Sequence, residues 1–381
     1  MPSSLKTPAG RRLRPRNISA ILSSGEDAGV RQLNVLLAGK LTALAAPGGG
    51  EVQMSSTLAS LRELGVDARP WRPWEQSVAE CDVLHLFGSE REHLPVVAAA
   101  RRAGVPVALS TIAWFDLASR WREPKPLAGR LAACGKHVVR GAAPWLPTWR
   151  RRLYHACDLL LPNSQAEAEQ LTRLFNINDE RIHVVPNGAD RRFALGDPRP
   201  FARLAGGRGF ILYAGRIEPR KNQLGFLRAM QGADAPIVVL GDAVPGQEEY
   251  LAECRRVAGP NVRFIGHLDH GDALLASAYA ACGCLVLASW FETPGLVALE
   301  AGMSGAPLVL PRAGCALEYF GEQARYVSPD NHREIREQVL AARQEARRPE
   351  LAEFVAARYS WQAAAEATRK AYETLKDRPK T

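Results

Sequence analysis

The chain has 381 residues, seven cysteines and a formal net charge of +9 at pH 7. This length predicts two domains, each large enough to bury a core of its own. No apolar run approaches the roughly 18 residues of a transmembrane helix, and the basic N-terminus lacks the apolar region of a secretory signal. No Cys-x-x-Cys pair or Cys/His cluster has zinc-binding spacing. We therefore interpret the cysteines as reduced, mostly structural residues of a cytoplasmic protein.

Positive charge is concentrated in two segments. Residues 1–16 carry five basic residues and no acid, and residues 120–152 carry nine basic residues and one acid, Glu123. Such segments suit anionic partners, for example anionic lipid, nucleic acid or a phosphate-bearing substrate. Residues 1–31 are rich in Arg, Ser, Gly and Pro, which predicts a disordered basic tail.

From Leu33 onward, short apolar runs alternate with helical stretches. Most of these runs lack polar/apolar alternation, as is typical of parallel strands covered by helices on both faces. The alternation of strands and helices predicts an α/β protein with two doubly wound parallel sheets that face each other across a cleft. The predicted strands are 33–39, 81–88, 105–111, 157–163 and 181–186 in the first domain, and 209–215, 236–241, 261–266, 282–288 and 306–310 in the second.

The two groups of strands set the predicted domain boundaries. We expect an N-terminal domain over 32–190 and a C-terminal domain over 209–360. Residues 191–208, rich in Arg, Gly and Pro, are predicted to be the linker between them. The last segment, 361–381, contains an amphipathic helix from about Trp361 to Leu375, which we expect to cross back to the N-terminal domain.

Two loops that follow strands carry residues suited to phosphate. Gly48, Gly49 and Gly50 follow the first strand, and their backbone N–H groups can approach a phosphate closely. The loop does not match Gly-x-Gly-x-x-Gly, so nicotinamide binding is not favoured. After the strand at 209–215, Arg216 and Lys221 can place fixed positive charge on a departing diphosphate, whereas Arg220 is expected to face solvent.

A third loop carries a pair of carboxylates, Glu292 and Glu300, with seven residues between them. Thr293, Pro294 and Gly295 read as the start of a helix, with an N-cap residue and proline at the first position. The free N–H groups of Gly295 and Leu296 are then placed to hold a phosphate. A diphosphate with a hydroxyl-rich group at each end fits this pattern, which describes a nucleotide sugar. No Asp-x-Asp clamp for a metal-bound diphosphate occurs, so we predict that no metal or cofactor is needed.

These motifs resemble those of the retaining glycosyltransferases of the GT-B fold, specifically glycosyltransferase family 4. The family carries a glycine-rich loop after its first strand, followed in the second domain by Gly-Arg-x4-Lys-Asn and Glu-x7-Glu. Here those motifs stand at 48–50, 215–222 and 292–300, and the family's Pro-Asn-Gly-x-Asp stands at 186–190. The resemblance covers about residues 33–375 and is most specific in the C-terminal half.

The resemblance implies a role for each matching residue. Glu300 would bind the ribose hydroxyls of the donor, and Glu292 the hydroxyls of the transferred sugar. Arg216 and Lys221 would stabilise the leaving diphosphate without metal, and the leaving phosphate would deprotonate the acceptor on the same face. The expected partners are a nucleotide-sugar donor, either UDP- or GDP-linked, and a glycan or lipid-linked glycan acceptor. The remaining donor-binding residues would be Gly48, Gly49, Gly50, Gly215, Gly266, His267, Leu268, Thr293, Pro294, Gly295 and Leu296.

One departure from the family concerns the acceptor side. Many members place His-Gly after the third strand of the first domain, whereas the stretch 110–114 contains no histidine. His85, on the neighbouring strand, either substitutes for it or is a buried structural histidine. Two alternatives stay open: a GT-B sugar-nucleotide epimerase, and a non-catalytic nucleotide-sugar-binding scaffold that docks on membranes.

Residues 114–152 interleave five aromatic residues, four of them tryptophan, with basic residues. Basic amphipathic stretches can lie on anionic membranes, and many members of the family use lipid-linked acceptors. We therefore predict peripheral docking of this segment on the inner face of the plasma membrane. The alternative is a solvated face whose tryptophans pack on the core. No nucleic-acid-binding module accompanies the segment, so we do not expect a nucleic-acid partner.

Overall fold

The computed structural model describes residues 32–40, 48–117, 121, 127–293 and 295–375. The predicted tail at 1–31 and Pro294 lie outside the described residues. The described chain forms two α/β domains, each built on one parallel sheet. The predicted fold class, with two Rossmann-like parallel sheets, is confirmed.

The first domain contains a five-stranded sheet with the order β2–β1–β3–β4–β5. In its register Val35 lies opposite Val83, and Leu84 lies opposite Val107. These strands are apolar because helices cover both faces of the sheet. Its strands are β1 (Asn34–Ala38), β2 (Asp67–Pro70), β3 (Val83–Phe87), β4 (Val107–Ser110) and β5 (Leu159–Leu160). Its helices are α1 (Gly49–Glu63), α2 (His93–Arg102), α3 (Leu127–Ala142), α4 (Trp149–Ala156) and α5 (Gln165–Phe175).

The second domain contains a six-stranded sheet with the order β11–β10–β9–β6–β7–β8. Its central strands β6, β7 and β9 are buried along their whole length, so their side chains form the largest core of the protein. Its strands are β6 (Ile211–Ala214), β7 (Ile237–Leu240), β8 (Val262–Ile265), β9 (Cys284–Val286), β10 (Leu308–Pro311) and β11 (Arg325–Val327). Its helices are α6 (Pro198–Ala205), α7 (Gln223–Ala229), α8 (Glu248–Val257), α9 (Ala273–Ala281), α10 (Leu296–Met303), α11 (Ala316–Phe320), α12 (His332–Gln344) and α13 (Pro349–Arg358).

Three strand assignments differ from the prediction. Strands β2 and β11 were not predicted, because each lies at a sheet edge and carries polar residues or proline, which edges tolerate. The predicted strand at 181–186 is reduced to a single bridge between Ile182 and Leu160. Because apolar runs indicate buried segments, a prediction based on them misses polar edge strands. It also assigns a strand to a buried extended segment that forms only one bridge.

Residues 191–208, predicted to be the linker, pack into the second domain. Phe193 and Phe201 are almost fully buried in the core of that domain. The backbone N–H of Phe201 donates to Ser277 Oγ at 3.0 Å. This segment, with helix α6, therefore belongs to the body of the second domain, because burial of Phe193 and Phe201 stabilises the packed arrangement.

The C-terminal helix α14 (Trp361–Glu373) packs on the first domain. Trp361 and Tyr372 share a core with Val35 and other residues of β1. The chain thus passes between the domains twice, and the two crossings touch through a bridge between Ala189 and Ser360. The connection between the domains is therefore a paired crossing.

The seven cysteines are all free, and six of them are buried. Burial raises the pKa of Cys254 to about 11, so that thiol stays protonated at neutral pH. In the described part of the chain, no helix combines the length and apolar character needed to cross a bilayer.

Candidate functional site

A cavity of about 750 Å³ lies between the two domains. The glycine loop and Ile112 line it from the first domain, and the loops after β6, β7, β8 and β9 line it from the second. This is the edge where parallel sheets bind ligands. Among the predicted site residues, Gly266 does not line the cavity, and Pro294 lies outside the described part of the chain. Those that do line it are Gly48, Gly49, Gly50, Gly215, Arg216, Lys221, His267, Leu268, Glu292, Thr293, Gly295, Leu296 and Glu300.

Lys221 and Glu292 form a buried ion pair at the floor of the cavity. Lys221 Nζ lies 2.7 Å from Glu292 Oε1 and 3.0 Å from Oε2. The Lys221 side chain is 12% exposed and that of Glu292 only 4%. Burial would raise the pKa of Glu292, but the cations of Lys221 and Arg220 outweigh it and hold that pKa below its ordinary value. Burial lowers the pKa of Lys221, and the adjacent carboxylate opposes that shift.

Neighbouring groups fix both members of this pair. Ser289 Oγ donates to Glu292 Oε1. Asn222 adopts a left-handed conformation with φ 58° and donates to the carbonyls of Ala288 and Pro329 at 3.0 and 2.8 Å. This ties the loop after β6 to the loop after β9. The pair is thus preorganised, which is what binding or catalysis by fixed charges requires.

Gly314 supports Glu292 from behind. A Cβ at this position would lie 2.0 Å from the carbonyl oxygen of Glu292, and the residue has φ 104°. Both facts restrict the position to glycine. The backbone N–H of Cys315 also donates to the Glu292 carbonyl at 3.0 Å. The loop after β10 therefore fixes the backbone position of Glu292 in the cavity, a role that the sequence did not indicate.

Arg216 meets the glycine loop across the cavity. Its Nη1 lies 3.1 Å from the point that a Cβ on Gly48 would occupy. Its side chain is 45% exposed, and its ion pair with Glu218 is a loose 3.5 Å. Arg216 therefore keeps most of its five N–H donors for a ligand.

Arg220 does not face solvent as predicted. Its side chain is only 26% exposed, pairs with Glu218 at 2.8 Å and packs over Phe291. Arg220 also lines the cavity. Its position adds a third cation close to Lys221, because the short 3-10 turn Pro219–Lys221 folds both side chains back over the loop after β9.

The glycine loop opens α1. Gly48 is the N-cap residue, and its N–H donates to Glu51 Oε2 at 2.8 Å, so Glu51 closes the first turn. Within the described residues, the N–H groups of Gly49 and Gly50 donate to no protein acceptor. Gly49 approaches Leu296 of the second domain. A helix N-terminus with free N–H groups attracts anions.

Helix α10 begins later than predicted. Gly295, with φ 65°, is its N-cap, and Thr293 lies before the cap rather than forming it. Glu300 is therefore one turn into the helix rather than two. The left-handed conformation at Gly295 is the physical reason, because it turns the chain into the helix where threonine would be strained. Within the described chain, the N–H groups of Gly295 and Leu296 have no protein acceptor.

Glu300 is held by two residues that were not predicted. His270 Nε2 lies 2.9 Å from Glu300 Oε1, and Tyr279 Oη donates to Oε2 at 2.7 Å. The Glu300 side chain is 4% exposed. His270 follows a predicted strand by only a few residues, whereas Tyr279 lies inside an apolar helix where no sequence signal marks it.

Asp242 is another cavity residue that sequence reasoning missed. It lies two residues after the end of β7, so the rule that ligands bind at strand ends could have found it. Its Oδ2 accepts the backbone N–H of His267 at 3.2 Å. The point that a Cβ on Gly266 would occupy lies 3.3 Å from Asp242 Oδ1. Gly266 thus supports the loop that carries His267 and Leu268 rather than lining the cavity.

The first domain contributes Ile112 to the cavity where many family members have histidine. Ile112 has φ 44°, which is rare for a β-branched residue and marks strain. Buried Glu167 holds the strained stretch on both sides, accepting the N–H of Ala113 at 2.7 Å and the hydroxyl of Thr111. The buried Glu167 carboxylate therefore fixes the backbone around Ile112.

His85 does not take the place of that histidine. It is fully buried and bridges Tyr372 Oη at 2.7 Å and Ser110 Oγ at 3.0 Å. Burial lowers its pKa to about 3, so it stays neutral at physiological pH. It is not among the residues that line the cavity. Its role is to tie α14 to the first sheet, which was the structural alternative considered for it.

Comparison with known families decides the identity. Residues 50–193 match Glycosyltransferase Family 4, and residues 208–345 match Glycosyl transferases group 1. The chain belongs to glycosyltransferase family 4. The predicted membership of family 4 is thus confirmed, and the two matches fall on the two domains.

Curated relatives of this family 4 chain include a glycogen synthase and a D-inositol 3-phosphate glycosyltransferase. It is 31% identical over 267 residues to a glycogen synthase of Mycobacterium tuberculosis, covering 67% of this chain and 55% of that protein. It is 30% identical over 216 residues to a D-inositol 3-phosphate glycosyltransferase of Nocardia farcinica, covering 51% and 48%. The chain thus spans about half the length of the curated relatives it matches.

Solved structures share the whole fold. HepE of Anabaena, solved in complex with UDP and glucose, matches with a TM-score of 0.65 at 17% identity, covering 91% of this chain and 100% of that one. Sucrose-phosphate synthase of Thermosynechococcus elongatus matches with a TM-score of 0.68 at 18% identity, covering 90% and 99%. At these identities the likeness establishes the GT-B fold alone.

Proposed function

We propose that this protein is a retaining glycosyltransferase that moves a sugar from a nucleoside-diphosphate sugar to a glycan or lipid-linked glycan, without a required metal. The observation that carries the proposal is the shared cavity. One space is lined by Arg216, the buried Lys221–Glu292 pair, Glu300 and the glycine-rich start of α1.

The donor fits this cavity in one direction. Glu300, anchored by His270 and Tyr279, accepts the ribose hydroxyls, and the nucleobase lies by the loop that carries His267 and Leu268. The diphosphate lies between the N-termini of α1 and α10, where free N–H groups and the helix dipoles favour negative charge. UDP is the first nucleotide to test, since HepE of the same fold was solved with UDP and with UDP-glucose.

The same residues account for the proposed chemistry. The bond between the sugar C1 and the phosphate oxygen breaks, and the acceptor oxygen bonds to C1 on the face that the phosphate leaves. The acceptor proton passes to the departing phosphate. Arg216 and the third N–H of Lys221 stabilise the negative charge that develops there, while Glu292 orients the hydroxyls of the sugar.

A second candidate is a non-catalytic nucleotide-sugar-binding scaffold of the same fold. The observation that favours it is Ile112, because an apolar residue stands where many family members have a histidine beside the acceptor. The epimerase alternative differs from both in releasing free nucleotide without an acceptor. Product analysis therefore separates the three functions.

The first experiment measures thermal stability against UDP, GDP, ADP, dTDP and their common sugar conjugates. A ligand that binds only the folded protein raises its stability in proportion to RT ln(1 + [L]/Kd). We expect the nucleotides of one base to raise the Tm of the wild type but not that of Glu300→Ala. The control Glu249→Ala, which changes an exposed residue, should show the same rise as the wild type. If no nucleotide raises the Tm of the wild type, the donor assignment is wrong.

Turnover then tests catalysis. We expect transfer to an acceptor with retained anomeric configuration by NMR, unaffected by EDTA and reduced at least a hundredfold in Glu292→Ala, about the cost of one preorganised group. Unchanged turnover in Glu292→Ala would contradict the site. Binding of the donor without any turnover on a panel of glycan and lipid-linked acceptors would favour the scaffold.

A further inference from the structure

Helix α3 turns its apolar side to solvent. Leu127, Leu131, Val138 and Val139 are 63%, 55%, 56% and 52% exposed, and no residue of the helix is buried. Soluble proteins usually show the reverse pattern, with apolar residues inward and charged residues outward. An exposed apolar helix face of this kind marks an interaction surface.

The exposed face is continuous. At about 100° per residue, Leu127, Leu131 and Val138 fall within a narrow arc of the helix. Ala128, Ala132, Gly135, Val139 and Ala142 extend the arc, and all are exposed. Lys136, at the edge of this arc, is the charged residue of the exposed set.

Two basic residues of this region, Arg140 and Arg150, pack against aromatic rings. Arg140 packs its guanidinium 5.3 Å from the ring centre of Phe115 and 5.2 Å from that of Phe175. Arg150 lies 4.3 Å from the ring centre of Trp149. These two arginines pack α3 and α4 against the domain, and the apolar side of α3 therefore faces outward.

The segment after α3 also exposes large apolar side chains. Trp145 is 64% exposed and Leu146 39% exposed. The sequence predicted that the segment 114–152, with its interleaved tryptophans and basic residues, docks on a membrane, and the alternative was a solvated face whose tryptophans pack on the core. In the structure, apolar residues and Trp145 are exposed, and Arg140 and Arg150 stack on aromatic rings.

We propose that the outward face of α3, with Trp145 and Leu146, docks on an anionic membrane surface as a helix lying in the interface. Leucine, valine and tryptophan side chains enter the boundary between headgroups and acyl chains. Lys136 and Arg152 are exposed, and residues 127–152 contain no acid, so the net positive charge around the face attracts anionic headgroups. That same charge opposes pairing of two copies through this face. The proposal goes beyond the sugar-transfer function and does not depend on it.

Co-sedimentation with vesicles tests the proposal. The full chain is mixed with vesicles of phosphatidylcholine, with or without about a third phosphatidylglycerol. The test variant is Leu131→Asp with Val138→Asp. The matched control is Leu195→Asp with Leu204→Asp, which makes the same charge change at apolar residues 84% and 47% exposed elsewhere. All four positions are solvent-exposed, and unchanged Tm values confirm that both variants fold.

We expect the wild type and the control to bind anionic vesicles, with a partition coefficient that falls as salt rises. The test variant should bind vesicles at least roughly tenfold more weakly for each of its two substitutions, because each aspartate replaces an apolar side chain that the membrane would bury. Trp145→Phe should reduce the blue shift of tryptophan emission on vesicle binding. The nucleotide-induced rise in Tm should be the same in all variants, which separates this proposal from the donor site.

Three results would overturn the proposal. The first is that the wild type binds neither kind of vesicle. The second is that the test and control variants lose binding equally, which would mean that net charge alone causes attachment. The third is that light scattering finds a wild-type dimer that the test variant abolishes, which would assign the face to a second copy of this chain.

Discussion

Replacing Lys221 with methionine tests the buried ion pair. Methionine keeps the length of the side chain and removes its charge, so the Glu292 carboxylate, 4% exposed, is left with Ser289 as its side-chain partner. Removing one member of a buried pair costs about 3–5 kcal/mol because the other charge stays buried. For a domain of this size each kcal/mol lowers Tm by about 2–4 °C, so the expected loss is on the order of 10 °C.

The double variant Lys221→Met with Glu292→Gln should recover most of that stability, because no unpaired charge remains buried, while donor turnover stays lost. The pH dependence has a defined sign. In the wild type the pKa of Glu292 is depressed, so its contribution is present above the ordinary carboxyl pKa and is lost as pH falls through the folded value. In Lys221→Met, protonation instead relieves a buried charge, so the deficit relative to wild type shrinks toward acid pH.

Denaturant unfolding at pH 7 and at pH 5 measures these differences, with exposed Lys370→Met as the matched control. That control should stay within about 0.5 kcal/mol of the wild type. If Lys221→Met is as stable as Lys370→Met, or if the effects of the two single substitutions at 221 and 292 simply add, the charges are not coupled and the reasoning fails.

Three further predictions concern the supports of the site. Gly314→Ala should displace Glu292, since the new Cβ would lie 2.0 Å from the Glu292 carbonyl oxygen. We expect a loss of roughly 1–3 kcal/mol in the free energy of unfolding and a smaller donor-induced rise in Tm. A donor-induced rise in Tm as large as that of the wild type would contradict this prediction. His85→Phe should cost roughly 1–3 kcal/mol by leaving Tyr372 and a serine without partners, yet leave the pH profile of turnover between pH 5 and 8 unchanged; an altered profile would show that the imidazole acts in catalysis. Burial raises the pKa of Glu167 from its ordinary 4.5 to about 7, so the folded protein holds a proton that the unfolded chain releases, and stability should fall by about 3 kcal/mol as pH rises through that window. In Glu167→Gln this slope should disappear from urea midpoints measured across the window; if it persists, another group causes it.

The local sequence predicted the two parallel sheets because buried strands are short apolar runs, and this property does not depend on which strands are neighbours. It also predicted the loops of the site, since in parallel sheets the carboxyl ends of strands meet at one edge. Arg216, Lys221, Glu292 and Glu300 could be named in this way. The polar edge strands could not, because edges are not required to be apolar.

Only the tertiary structure decided how these residues act together. The sequence does not pair Lys221 with Glu292, or Glu300 with His270 and Tyr279, because each contact joins segments that are distant in the chain and meet only when the sheet forms. The same holds for Arg216 beside the glycine loop of the other domain. Helix α3 shows the limit most clearly: an amphipathic pattern specifies two faces, and the side that turns inward is set by what the rest of the domain packs against it.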